Sequence, residues 1–156
     1  MYIKKVKYED FNGVEKEKTL MFNLSQKELT DMNYSLDGGM QEYFRKITEA
    51  KDEGELVRYI TELILKAYGE KSGDGDSFIK EDLDGHKLAD RFKQTAAFEA
   101  LWVELSEDAN ATVDFFVGIL PAKVRNQLTP AQIAAAKRGE IPEITQTATA
   151  TADNQE

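Results

Sequence analysis

Cysteine is absent from the 156 residues, and histidine occurs once. Without thiols there is no disulfide framework, thiolate nucleophile or thiolate metal site, which suits a reducing compartment. A catalytic zinc or a Ser/His/Asp triad needs imidazoles held by specific partners, so both chemistries lose most of their raw material. His86, in the polar stretch Asp84-Gly85-His86-Lys87, reads as a surface histidine. Also missing is any run approaching the roughly 18 to 20 consecutive apolar residues that span a bilayer. Met1-Tyr2-Ile3-Lys4-Lys5-Val6 carries no apolar signal core, so the expected place is the cytoplasm, with no membrane partner. Positive charge is scarce: 20 Lys and Arg face 29 Asp and Glu, a net charge of −9. Such a chain repels phosphate backbones, and nucleic acid is not an expected partner. Lys4, Lys5 and Lys7 are a local exception, and on a short strand they read as protection of a sheet edge against aggregation.

What is present suits one domain plus some unstructured length, with 41% hydrophobic residues to supply a core. Residues 2–8 and 17–24 are rich in β-branched and aromatic types, and Asn12-Gly13 between them favours a tight turn, which predicts a β-hairpin. Strand side chains alternate with period two, so Tyr2, Val6 and Tyr8 share one face and Leu20, Phe22 and Leu24 another.

Helical spacing begins at Ser25-Gln26-Lys27-Glu28, a capping-box pattern that predicts a short helix to about Met32. After Gly38-Gly39, Met40, Tyr43, Phe44 and Ile47 repeat at i, i+3, i+4, i+7 and predict a second helix. A third carries Leu56, Val57, Ile60, Leu63, Ile64, Ala67 and Tyr68, with Gly69 as its C-cap. Residues 69–77 are a polar loop with three glycines. Leu88 and Phe92 mark a turn or two of helix, and Phe98, Leu101, Trp102 and Leu105 a clearer one.

The helix expected over residues 109–120, stopping before Pro121, has an unusually wide apolar surface: Val113, Phe116, Val117 and Leu120 on one stripe, Phe115 and Ile119 on the next. Two readings stand: a central helix packed on two sides, or a helix with part of its surface toward a partner. Thr129-Pro130 opens a short helix through Arg138, with Thr129 as N-cap. Beyond it, Thr145-Gln146-Thr147-Ala148-Thr149-Ala150-Thr151-Ala152 is low in complexity and offers little to bury, so a flexible tail is expected.

Reaction chemistry finds little support. Asp74-Gly75-Asp76 suggests calcium, but an EF-hand counted from Asp74 would place Phe78 at the fifth position and Gly85 at the twelfth, where ligands are required. No phosphate-binding glycine pattern occurs, and Gly73-Asp74-Gly75 sets an anion where a phosphate would sit. We expect no enzyme, no cofactor, no metal site and no catalytic residue.

Several short motifs in order do resemble a known family. Tyr68-Gly69-Glu70-Lys71-Ser72-Gly73-Asp74-Gly75 leads to Phe78-Ile79-Lys80, then to Phe92-Lys93-Gln94-Thr95-Ala96-Ala97-Phe98 and Leu101-Trp102-Val103-Glu104-Leu105. Upstream, a hairpin with an Asn-Gly turn leads into Phe22-Asn23-Leu24-Ser25 and a Gly-Gly step. Residues 1–121 resemble the tail-assembly chaperones of long-tailed, non-contractile bacteriophages. The chain departs from the pattern at Glu81-Asp82-Leu83-Asp84-Gly85-His86-Lys87, an extra stretch, and beyond Pro121.

The resemblance implies a chaperone that binds the tape-measure protein, a long and largely helical polypeptide, and keeps it soluble until tube subunits polymerise around it. It implies action in the cytoplasm of the infected bacterium, absence from the mature virion, and help in recruiting the tail-tube protein. Self-association is compatible with it, and a self-assembling minor structural or scaffold protein of the virion is the alternative. The expected fold is α+β and mostly α-helical: an N-terminal β-hairpin, a compact bundle of about five or six helices and a disordered C-terminal tail. Residues 1–121 form the domain, 122–140 a linker with a short helix, and 141–156 the tail. Phe115 and Ile119 are the expected client-facing residues, with Trp102 nearby as an aromatic anchor.

Overall fold

The computed structural model describes residues 1–35, 45 and 53–138. β1 (Tyr2–Glu9) and β2 (Glu15–Phe22) form the expected antiparallel hairpin, with Tyr2 opposite Phe22 and Glu9 opposite Glu15. Its turn is built from the Asp10 carboxylate, which accepts the N–H of Asn12 at 2.9 Å and of Val14 at 3.0 Å, while Gly13 takes a φ of 76°. The Lys16 ammonium, with the Val14 and Asn12 N–H groups, holds the Asp10 carboxyl down at about 2. Val6, Leu20, Phe22 and Leu24 are buried and Tyr2 and Tyr8 half-buried, so the alternation read from the sequence is the one that packs.

α1 (Gln26–Ser35) starts at the capping box: Glu28 N–H donates to Ser25 Oγ at 3.1 Å, and Ser25 N–H to the Glu28 carboxylate at 2.8 Å. The predicted helix of Met40, Tyr43, Phe44 and Ile47 lies outside the described residues. α2 (Glu53–Ala67) turns Ile60, Leu63, Ile64 and Ala67 inward.

The chain then departs from expectation. Tyr68 and Gly69 leave the helix and start β3 (Tyr68–Lys71), which pairs with β2 on one side and with β4 (Phe78–Ile79) on the other. The polar loop is therefore the turn of a second hairpin, and the sheet has four antiparallel strands in the order β1-β2-β3-β4. Gly69 is not a left-handed cap, since among the described glycines only Gly13, Gly75 and Gly85 have positive φ. It is needed for close approach: a Cβ there would lie 2.7 Å from the Ile79 carbonyl oxygen and overlap the edge of the Phe78 ring. Carbonyls at the end of α2 are satisfied from elsewhere in the chain, Ala67 O by Asn23 N–H at 2.8 Å and Lys66 O by Lys80 Nζ at 2.9 Å.

Five helices follow among the described residues: α3 (Leu88–Phe92), α4 (Ala96–Glu107), α5 (Ala109–Ile119), α6 (Ala122–Arg125) and α7 (Pro130–Lys137). Thr95, Asp108 and Thr129 cap α4, α5 and α7 with their side-chain oxygens. α4 and α5 lie on the inner face of β1, α2 packs on α4, and α7 on α5. The core centres on Phe22, whose ring meets Phe115 at 5.0 Å, Tyr68 at 5.8 Å and Phe92 at 6.2 Å, all edge-on. Mostly helical α+β is thus the observed class, with a larger sheet than the hairpin alone.

Residues 122–138 do not behave as a linker. Val124, Leu128 and Ile133 pack against the core, Ala136 is buried, and Lys137 reaches the Asp114 carboxylate at 2.7 Å. These apolar positions give α6 and α7 a face to bury, which a linker lacks. Residues 139–156, with the expected tail, lie outside the described residues.

Candidate functional site

The motifs that carry the family resemblance converge on one junction. The Tyr68 ring stacks on Phe92 at 3.9 Å and 10°, joining β3 to α3. Lys80, just after β4, reaches the Glu28 carboxylate at 2.6 Å as well as the Lys66 carbonyl, and so ties α1, α2 and the sheet together. Its ammonium also stands 5.9 Å from the centre of the Phe78 ring. Burial pushes the Lys80 ammonium below its usual range in spite of its carboxylate partner. Burial pushes the Glu28 carboxyl up, but the Lys80 ammonium and the Ser25 groups outweigh it and leave it below 4.5.

Beside this junction runs a groove of about 590 Å³ between α1, α2, β3 and α3. Met32, Leu65, Tyr68 and Ala89 give it an apolar floor, and Glu62, Lys66, Glu81, Lys87 and Asp90 surround them with charge of both signs. The stretch 81–87 forms one wall: Glu81 and Lys87 make a β-bridge, and the loop between them turns on Asp82, which accepts the N–H groups of Asp84 and His86 at 2.9 Å each. Those bonds, that from His86 first, hold the Asp82 carboxyl below its ordinary range.

Ligand-capable atoms of Asp82, Asp84 and His86 come within 4.8 Å of one another, but all three side chains are exposed and Asp82 is already engaged by the turn. The 71–78 loop spends its Asp74 in the same way, accepting from Ser72 Oγ at 2.6 Å and from Asp76 N–H at 3.1 Å. Both aspartate groups read as turns.

The three residues expected to face a client are placed differently. Phe115 and Ile119 are 1% and 0% exposed, so neither offers surface to a partner in this fold. Tyr2 and Phe22 pack their rings on Phe115, and the Ile119 carbonyl accepts Leu24 N–H at 2.8 Å. The wide apolar surface of α5 is therefore explained by packing on two sides, sheet and α7. Trp102 is half-buried, and its Nε1 donates to Thr61 Oγ1 at 2.9 Å, bridging α4 to α2. Sequence reasoning missed the Glu28–Lys80 pair and the groove beside it. Glu28 was visible as a capping residue and Lys80 as the end of Phe78-Ile79-Lys80, but 52 residues separate them.

An apolar floor rimmed with charge, held by a polar latch whose ionisable groups satisfy each other, suits recognition of another polypeptide. Residues 1–156 match the phage tail assembly chaperones, and the chain belongs to that family, as the motifs in its sequence indicated. No curated protein and no solved structure matches the chain. Among the described residues, no helix is long and apolar enough to cross a membrane.

Proposed function

We propose that this chaperone binds the tape-measure protein of its phage, keeps it soluble in the cytoplasm of the infected bacterium, and helps recruit tail-tube subunits before leaving the assembly. The match of the entire chain to tail assembly chaperones carries this reading. Membership implies binding of tail proteins, and a long helical client suits the groove, because the apolar stripe of an amphipathic helix lies on an apolar floor while its polar sides meet charge. The net charge of −9 keeps a complex of many chaperone copies on one client soluble. Individually weak contacts add along such a client and still allow each copy to be displaced by tube subunits.

Co-expression with the tape-measure protein, or with helical fragments of it, tests the proposal. The client is expected to move from the pellet into a soluble complex on size exclusion, and purified virions are expected to lack the chaperone. Failure to solubilise several well-behaved fragments, with recovery of the protein from particles, would instead make it a structural component.

A further inference from the structure

Among the described residues, the helices that pack on the sheet reach it from one side, through Tyr2, Lys4 and Tyr68, whose partners are Phe115, Glu104 and Phe92. Side chains of the opposite side alternate with these. There the register sets Ile3 beside Met21 and Met21 beside Gly69, with the Phe78 ring over Gly69. Ile3 is 54% exposed and Met21 and Phe78 are half-buried, so an apolar row crosses a side that is ordinarily polar where water covers it. In the next row Lys5 lies opposite Thr19, and continuing the register of β2 and β3 puts Lys71 beside Thr19 as well. Neither row holds a carboxylate. Lys71 makes no ion pair among the described residues, and Lys5 has a loose, exposed one, 3.8 Å from Glu17.

A matching surface stands on the other side of the sheet. α4 holds no lysine or arginine, and Glu99, Val103 and Glu107, spaced four residues apart, share one stripe of it. All three are exposed, and neither glutamate makes an ion pair among the described residues. Glu99 and Glu107 are about 12 Å apart along the helix. Lys5 and Lys71, two strand spacings apart, are separated by about 10 Å. α4 meets the sheet from the Lys4 side, so the stripe and the bare face cannot touch within one chain.

We infer that they meet between chains: the bare sheet face of one copy receives α4 of the next. Val103 lies against Ile3 and Met21, and Glu99 and Glu107 stand beside the two lysines. Packing two bare faces together would instead gather their lysines in one interface. The contact joins two different surfaces and leaves one of each free at the ends, so it repeats into a row of copies. Its small apolar area makes each contact weak and reversible.

Analytical ultracentrifugation of the full chain tests this. Wild type is expected to associate as its concentration rises above about 0.1 mM, as a weak contact does, and to dissociate in high salt. The double variants Lys5→Glu/Lys71→Glu and Glu99→Lys/Glu107→Lys are each expected to self-associate at least about tenfold more weakly, because like charges then face each other, with helical content unchanged by circular dichroism. Mixed in equal amounts, the two are expected to assemble again, since each reversed sheet face meets a reversed helix and each native face a native helix. Recovery on mixing separates this contact from simple damage to either variant. Wild type that stays monomeric at about 1 mM, variants that associate as wild type does, or a mixture that stays monomeric would each overturn the assignment. The chaperone reading does not depend on it.

Discussion

Lys80 and Glu28 form a half-buried pair, and each loses its charge partner when the other is removed. Their side chains are 23% and 31% exposed, so solvent screens part of the attraction, and removing one partner should cost about 1–2 kcal/mol, less than for a fully buried pair. Lys80→Met is therefore expected to unfold at lower denaturant concentration near neutral pH. The pH dependence has a definite sign. Because the folded Glu28 carboxyl lies below its ordinary value of 4.5, the pair's contribution is present above that pH and is lost as the pH falls through the lower folded value. Thermal melts should show wild-type stability dropping on acidification below 4.5, and Lys80→Met dropping less steeply. Trp102, the one tryptophan, offers the optical readout, since its indole bridges α4 to α2 and its emission should shift when they part.

Among the elements, two close approaches and one buried helix decide the packing. Gly69 lets β4 and the Phe78 ring come close to β3, and Gly118 lets α5 lie on Tyr2, where a Cβ would overlap the edge of the ring. Gly69→Ala must displace the Ile79 carbonyl as well as a ring, and chemical denaturation should show a loss of about 1–3 kcal/mol. On α5, Phe115→Asp or Ile119→Asp would bury an uncompensated charge in the core. Circular dichroism is expected to show that either variant fails to fold, whereas a partner-facing role would leave a folded protein defective in binding. The local signals for these elements were largely legible. Ser25 and Thr129 announced helix starts, and Asn12-Gly13 announced a hairpin, because caps and turns are set by neighbours in the chain. Tyr68 and Gly69 were misread because the apolar spacing of α2 runs on through Tyr68, while their pairing partners Phe22 and Met21 lie far upstream.

For the whole molecule, the sheet serves as the platform on which α4 and α5 pack, and the second hairpin joins that platform to α1 and α2 through Lys80. This arrangement leaves the groove beside the latch instead of inside the core, so its rim can vary while the aromatic cluster around Phe22 stays intact. By itself the sequence determined what depends on composition and on near neighbours: the lack of thiols, the acidic charge, the strand alternation, two of the helix caps and the ordered motifs of a tail assembly chaperone. Only the tertiary structure decided that Phe115 and Ile119 are core, that Gly69 serves a close approach, that residues 122–138 dock, and that Glu28 meets Lys80. Each of those facts depends on which distant segment covers which side chain, and apolar spacing along one helix is the same whether a sheet, another helix or a client lies against it.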